Sequence, residues 1–222
     1  MTDLHRRLVA EALGTGLLVA TVVGSGIMAE RLTDIPALAL LANAAATAAA
    51  LVVLVTILRP LSGAHFNPAV TIAAALTRDI TPKVAAGYIV AQVIGGLVGT
   101  ALAHLMFDLP VVQLSQYART GPGQWLAEII ATAGLLLVIG LAGKRQPSAI
   151  PAVVGLYIGA AYWFTASTSF ANPAVTLARA FTDTFSGIAL SDVPAFIVAQ
   201  LIGAALGLTL ARWLDPSPQA ET

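Results

Sequence analysis

The sequence predicts an all-α polytopic membrane protein, an inverted repeat of six transmembrane helices plus two re-entrant half-helices. Three observations lead there. First, 58% of the 222 residues are hydrophobic, only 10% are charged, and the mean hydropathy is +0.86. Soluble domains carry about 25% charge. Second, apolar windows of about 20 residues, the length that crosses a bilayer, recur along the chain. Third, Asn67-Pro68-Ala69-Val70-Thr71 returns 105 positions later as Asn172-Pro173-Ala174-Val175-Thr176, each copy opening a short Ala-rich apolar run.

The elements follow in order. Thr2 to Arg7 is a short basic start. Span 1, about 8–28, carries Glu11 near its beginning; without a small-residue cleavage site, and leading into further spans, it reads as a helix and not a signal peptide. Glu30, Arg31 and Asp34 form a polar loop closed by Pro36. Span 2, about 37–58, holds Asn43, Thr47 and Thr56 and ends at Arg59-Pro60. The first half-helix, about 68–77, is roughly 15 Å long at 1.5 Å per residue, half a bilayer. Proline suits its first turn, where the missing N–H has no partner anyway. Span 3 is about 84–106, and 108–123 is a polar loop rich in Pro, Gly and Gln. Span 4, about 125–141, has Glu128 near its start and gives way to the basic turn Lys144-Arg145-Gln146-Pro147. Span 5, about 149–164, leads to the second half-helix, about 173–181. A loop over 182–192 precedes span 6, about 194–213, and the tail from Asp215 to Thr222, with two prolines, reads as frayed.

The two halves echo each other beyond the pentapeptide. Ala10-Glu11 is answered by Ala127-Glu128, and Ala91-Gln92 by Ala199-Gln200. With three spans in each half, about 8–107 and 122–213, successive halves sit upside down relative to each other within one membrane domain. Two half-helices entering from opposite faces then meet near mid-membrane. With the N-terminus inside, eight Lys or Arg residues fall on the inner side and three (Arg31, Arg119, Arg179) on the outer, in keeping with the positive-inside tendency. Omitting Arg78 and Arg179, which end the half-helices, leaves seven against two.

Composition also excludes. Net charge is zero, which offers a nucleic acid no basic field, and the absence of cysteine removes disulfides and thiolate chemistry. His5 and His104 lack ligand spacing, no nucleophile is paired with a base, and no cofactor signature occurs, so neither enzyme, metal site nor cofactor is expected.

In hydrocarbon, non-helical backbone must be buried or line a wet cavity. The carbonyls of Gly63, Ala64 and His65, and of Ser169, Phe170 and Ala171, are therefore expected to form a ladder of acceptors along a pore. Asn67 and Asn172 are expected to donate at its centre. The half-helix N-termini of Pro68-Ala69 and Pro173-Ala174 would point there with their positive dipole ends, which opposes cations and admits neutral hydrogen-bonding solutes. The plainer alternative is a pair of asparagine caps that serve packing alone. Glu11 and Glu128 need partners; each is expected to accept from the irregular backbone before a half-helix, the rival role being a proton relay. His65 either braces the first loop or gates one mouth by pH. Gln92 and Gln200 read as interhelical hydrogen-bonding groups rather than pore residues, and Gly95, Gly96, Gly99, Gly203 and Gly207 as packing positions. A proton-coupled secondary transporter built from broken helices is the main rival class.

With both Asn-Pro-Ala copies, the Ser62-Gly63-Ala64-His65 lead, the paired glutamates and the six-span order, the chain resembles the aquaporin or major intrinsic protein family over about residues 8–213. The resemblance implies a homotetramer with one pore per subunit, each passing water, glycerol or other small neutral solutes across the lipid bilayer without a cofactor. Most members carry arginine directly after the second Asn-Pro-Ala; here that residue is Val175. Counting without gaps, the other constriction positions fall on Thr47, Ala160 and Ser169, a small, weakly polar, uncharged set. The expected consequence is a wider, less discriminating pore with weaker cation rejection and no pore-facing basic residue to replace the lost one. Val175, within the run from Thr168 to Ile188, resembles a bacterial branch associated with arsenic resistance, whose members pass arsenite and antimonite as neutral hydroxides. Glycerol or water conduction without a metalloid role is the alternative.

Overall fold

The computed structural model describes residues 3–215; the rest of the tail read as frayed, 216–222, lies outside the described residues. The elements are α1 (Asp3–Leu32), α2 (Pro36–Ser62), α3 (Pro68–Leu76), α4 (Pro82–Met106), α5 (Pro122–Arg145), α6 (Ile150–Phe164), α7 (Pro173–Arg179) and α8 (Val193–Leu214), with 3₁₀ turns at Pro147–Ala149 and Leu190–Asp192. Six of them are long and apolar enough to cross a membrane, counting each 3₁₀ turn with the helix it leads into. The remaining two, α3 with 9 residues and α7 with 7, are the half-length helices.

Proline occupies one of the first two positions of every helix from α2 to α8, where its ring pre-sets φ and its missing N–H costs nothing. Proline is therefore the punctuation of this chain. Pro60 is the exception. Span 2 was expected to end at Arg59-Pro60, but α2 runs on to Ser62 with Pro60 inside its last turn. The stop is set by Gly63 at φ 94°, a left-handed conformation that costs glycine little, with its N–H donating to the Arg59 carbonyl at 3.0 Å. α1, α4, α5 and α8 also outrun their apolar windows, α5 by continuing through Lys144 and Arg145, whereas α6 keeps to its window.

α1 packs on α4 and α2, α5 packs on α8 and α6, and α2 meets α6. The two tightest crossings rest on glycine. A Cβ on Gly99 of α4 would lie 2.2 Å from the Gly16 carbonyl oxygen of α1, and one on Gly207 of α8 would lie 2.1 Å from the Ala133 carbonyl oxygen of α5. Small residues let backbones approach where lipid supplies no hydrophobic push between helices. Gly207→Leu will lower stability by about 3 kcal/mol or more. The check is thermal unfolding in detergent, where an unchanged midpoint would refute the close-packed crossing. Many large apolar side chains also face outward, among them Leu13, Leu17, Val90, Ile94, Leu206 and Leu210. Inside, an aliphatic core that includes Leu18, Val22, Leu51, Leu54 and Leu135 encloses the buried polar groups, Glu11, Asn67, Glu128 and Asn172 among them.

Candidate functional site

The segments leading into α3 and α7 are built alike. Ala64 and Phe66 in the first, Ser169 and Ala171 in the second, take positive φ between 48° and 54°. Left-handed backbone is costly for residues with a Cβ, about 1–3 kcal/mol each, and persists only where surroundings over-determine it. Here the glutamates do so. Glu11 accepts from His65 N (3.0 Å), Phe66 N (2.8 Å), Ser62 Oγ (2.6 Å) and Gln92 Nε2 (2.7 Å). Glu128 accepts from Phe170 N (2.9 Å), Ala171 N (2.8 Å) and Gln200 Nε2 (2.6 Å). Both carboxyls are fully buried, and each of these neighbours presents a donor. Gln92 and Gln200 also donate to Thr71 and Thr176 on the half-helices, at 2.9 and 2.8 Å, which ties each long helix to its short one.

The half-helices meet through their caps. Asn67 Oδ1 accepts from Ala69 N, and Asn172 Oδ1 from Ala174 N and Val175 N. Each amide then reaches across: Asn67 Nδ2 donates to the Ala171 carbonyl at 2.7 Å, and Asn172 Nδ2 to the Phe66 carbonyl at 2.8 Å. An amide nitrogen carries two hydrogens, so each asparagine keeps one donor beyond this crossed pair. The Ala171 carbonyl, expected as a pore acceptor, is thus engaged by Asn67. The Phe66 carbonyl, its counterpart in the other copy, was missed at the sequence level, although the 105-residue offset pairs positions 66 and 171.

Against this junction lies a cavity of about 690 Å³. One wall is polar: the segments 63–66 and 169–171 and both asparagines. The other is aliphatic, with Leu51, Val55, Leu135, Val154 and Ile158 among its residues. At the α3 end the lining includes Arg59, Asp79, Lys144 and Arg212; at the α7 end it includes Thr47, Tyr162, Ser169, Val175 and Arg179.

Thr47, Ser169 and Val175 line the cavity, whereas Ala160 does not. Ala160 is exposed on the outside of α6, while Ile158 and Tyr162 face inward. On a helix turning 3.6 residues per turn, residues 158 and 162 share a face and residue 160 lies nearly opposite. The ungapped count from the motif lost register before α6. Tyr162 brings a bulky phenol to this end of the cavity, its hydroxyl 3.3 Å from Thr47 Oγ1, so the lining there is not uniformly small.

A second expectation fails as well. Arg179 was counted as an exterior charge, and no basic residue was expected to face the pore. It is 2% exposed and lines the cavity one turn beyond Val175 on α7. Its Nε donates to the Ser186 carbonyl, and its guanidinium carbon lies 3.4 Å from the Phe170 ring centroid. Arg119, in the loop after α4, supports this region by donating to the carbonyls of Gly187 (2.7 Å) and Phe185 (3.3 Å). Burial pushes the Arg119 guanidinium below its ordinary pKa.

The histidines brace. His65 Nδ1 lies 3.1 Å from Thr71 Oγ1, and the ring packs edge-on to Tyr88. His104 bridges the Val111 carbonyl (2.9 Å) and Thr182 Oγ1 (2.8 Å), which pins two loops together.

The major intrinsic protein family model matches residues 1–170. Aquaglyceroporin AqpS of Rhizobium meliloti (strain 1021) is 64% identical over 213 residues, which cover 96% of this chain and 91% of that protein. Aquaporin Z of Rhodopseudomonas palustris (strain ATCC BAA-98 / CGA009) is 30% identical, covering 94% and 93%. Among solved structures, the aquaglyceroporin from Plasmodium falciparum superposes with a TM-score of 0.76 at 22% identity, over 96% of this chain and 98% of that one. That last likeness speaks to the fold alone.

Proposed function

The chain belongs to the major intrinsic protein family, and from that premise we propose that it is a passive channel for small neutral solutes: glycerol and water, with arsenite and antimonite as their uncharged hydroxides. The observation that carries the reading is the two-sided cavity passing the crossed asparagines, aliphatic on one wall and hydrogen-bonding on the other. A polyol has the same two faces. Its carbons lie against Leu51, Val55 and Ile158 while its hydroxyls exchange water for backbone acceptors and asparagine donors. A bare cation gains too little there to shed its hydration. Arsenous acid, neutral at pH 7 and polyol-sized, makes the same exchange.

In this reading Thr47, Tyr162, Ser169 and Val175 form the constriction, Glu11 and Glu128 hold the loops, and segments 63–66 and 169–171 offer the ladder of carbonyls. The reading extends to two inverted halves, about 8–107 and 122–213, and to a homotetramer with one pore per subunit. It also sets the protein in a bacterial inner membrane with both termini cytoplasmic. Arg59, Lys144 and Arg212 at the α3 end of the cavity support that orientation.

Stopped-flow light scattering of proteoliposomes tests the substrate. Glycerol and arsenous acid will enter several-fold faster than into empty vesicles, with no dependence on an imposed proton gradient. Fast water flux with both larger solutes excluded would reduce the protein to a water pore, and gradient-driven flux would favour a coupled transporter.

A further inference from the structure

We propose that Arg179 is the cation-rejecting and solute-orienting arginine of this pore, displaced one helical turn from the position that Val175 occupies. The inference rests on the channel reading above and adds to it a specificity-determining residue.

Four residues along a helix advance about 6 Å and return to nearly the same face. Val175 and Arg179 accordingly both line the cavity, with Arg179 at its α7 end. The side chain is held on three sides. Phe170 lies under the guanidinium at 3.4 Å, the Ser186 carbonyl takes Nε, and the residue as a whole is 2% exposed. Nη1 is buried without a hydrogen-bond partner in the protein, and so is the Oγ of Ser169, a residue that lines the cavity at the same end. A buried donor and hydroxyl left open are costly unless something transient satisfies them. Water or a solute hydroxyl in the cavity is placed to do so.

The charge has no salt-bridge partner among the described residues, and the Glu128 carboxylate acts on it only from a distance. The one ion pair among the described residues is Arg145 with Asp215, on the opposite side of the membrane domain. Glu128 is engaged by Phe170 N, Ala171 N and Gln200. The neighbouring cation, Arg119, donates to carbonyls and adds its own positive field. A cation entering from the α7 end therefore meets a guanidinium with no salt-bridge partner, in a poorly screened cavity, before it reaches Asn172. A neutral solute meets open donors at Arg179 and Ser169. Hydroxylated solutes are selected at the level where cations are turned back.

The test measures potassium permeability relative to water permeability in proteoliposomes carrying wild type, Arg179→Met, Arg179→Lys and the double variant Val175→Arg/Arg179→Met. Arg179→Met is expected to raise the ratio about tenfold or more. The lysine variant, which keeps the charge, and the double variant, which returns an arginine to position 175, are expected to bring it back near wild type. An unchanged ratio in Arg179→Met overturns the proposal. So does a raised ratio that neither lysine nor the relocated arginine corrects, because Arg179 would then only hold the Ser186 loop. Where the methionine variant gives no water flux, Arg179→Gln, which keeps a donor for Ser186, takes its place with the same expectations. Wild-type vesicles with no water or glycerol flux above empty vesicles would instead overturn the channel reading itself.

Discussion

Glu128→Leu will bring glycerol and water flux in proteoliposomes down to the background of empty vesicles. The leucine fits the space of the carboxyl but accepts nothing. Phe170 N, Ala171 N and the Gln200 amide lose their acceptor together. Each buried polar group left unpaired costs about 1–3 kcal/mol. The same bonds hold Ser169 and Ala171 at positive φ, so the segment relaxes and carries Asn172 out of line. Glu11→Leu will act alike through His65, Phe66 and Gln92. Size-exclusion and flux assays on the same preparation decide the matter. A folded Glu128→Leu protein that still conducts at half the wild-type rate would show that the loop holds itself.

The second large effect belongs to Val175→Arg. Glycerol flux will fall about tenfold or more while water flux falls far less. Val175 lines the cavity within one turn of Arg179, so a new guanidinium would share its face and narrow the path beside Tyr162 and Thr47. Two like charges about 6 Å apart on a short helix also oppose one another. A single file of water passes a smaller aperture than a polyol does. Equal losses of glycerol and water would mean that residue 175 does not set the width.

What sequence reasoning reached, and what it missed, follows from distance along the chain. Asn67 and Asn172 were legible because an identical pentapeptide in each half of an apolar chain rarely arises without a shared structural role. Glu11 and Glu128 were legible because a carboxyl in hydrocarbon demands donors, and unwound backbone is the nearest supply. Ser169 and Val175 sit beside the motif, so no insertion can shift them. Ala160 sits on a separate helix. An error of two residues there rotates the choice to the opposite face, which is why Tyr162 took its place. Arg179 was misjudged for a different reason: a cation at a half-helix end looks like loop charge. Its i+4 relation to Val175 was the signal available. The Phe66 carbonyl was left out because the expected acceptor run of the first copy ended at His65, one residue short of the position that answers Ala171.

The crossed asparagine bonds carry a consequence for biosynthesis. Asn67 needs the Ala171 carbonyl, and the Phe66 carbonyl needs Asn172, across more than a hundred residues of chain. A ribosome that has delivered α1 to α4 has inserted three spans and a half-helix whose tip has no partner yet. The first half must wait in the bilayer, unfinished, until the second loop dips in from the other face and the two tips close on each other. The crossed asparagine pair is thus completed only after the second half of the chain has been made. A truncated or stalled product is left with an unsealed polar tip, a mark by which membrane quality control can tell it from the finished channel.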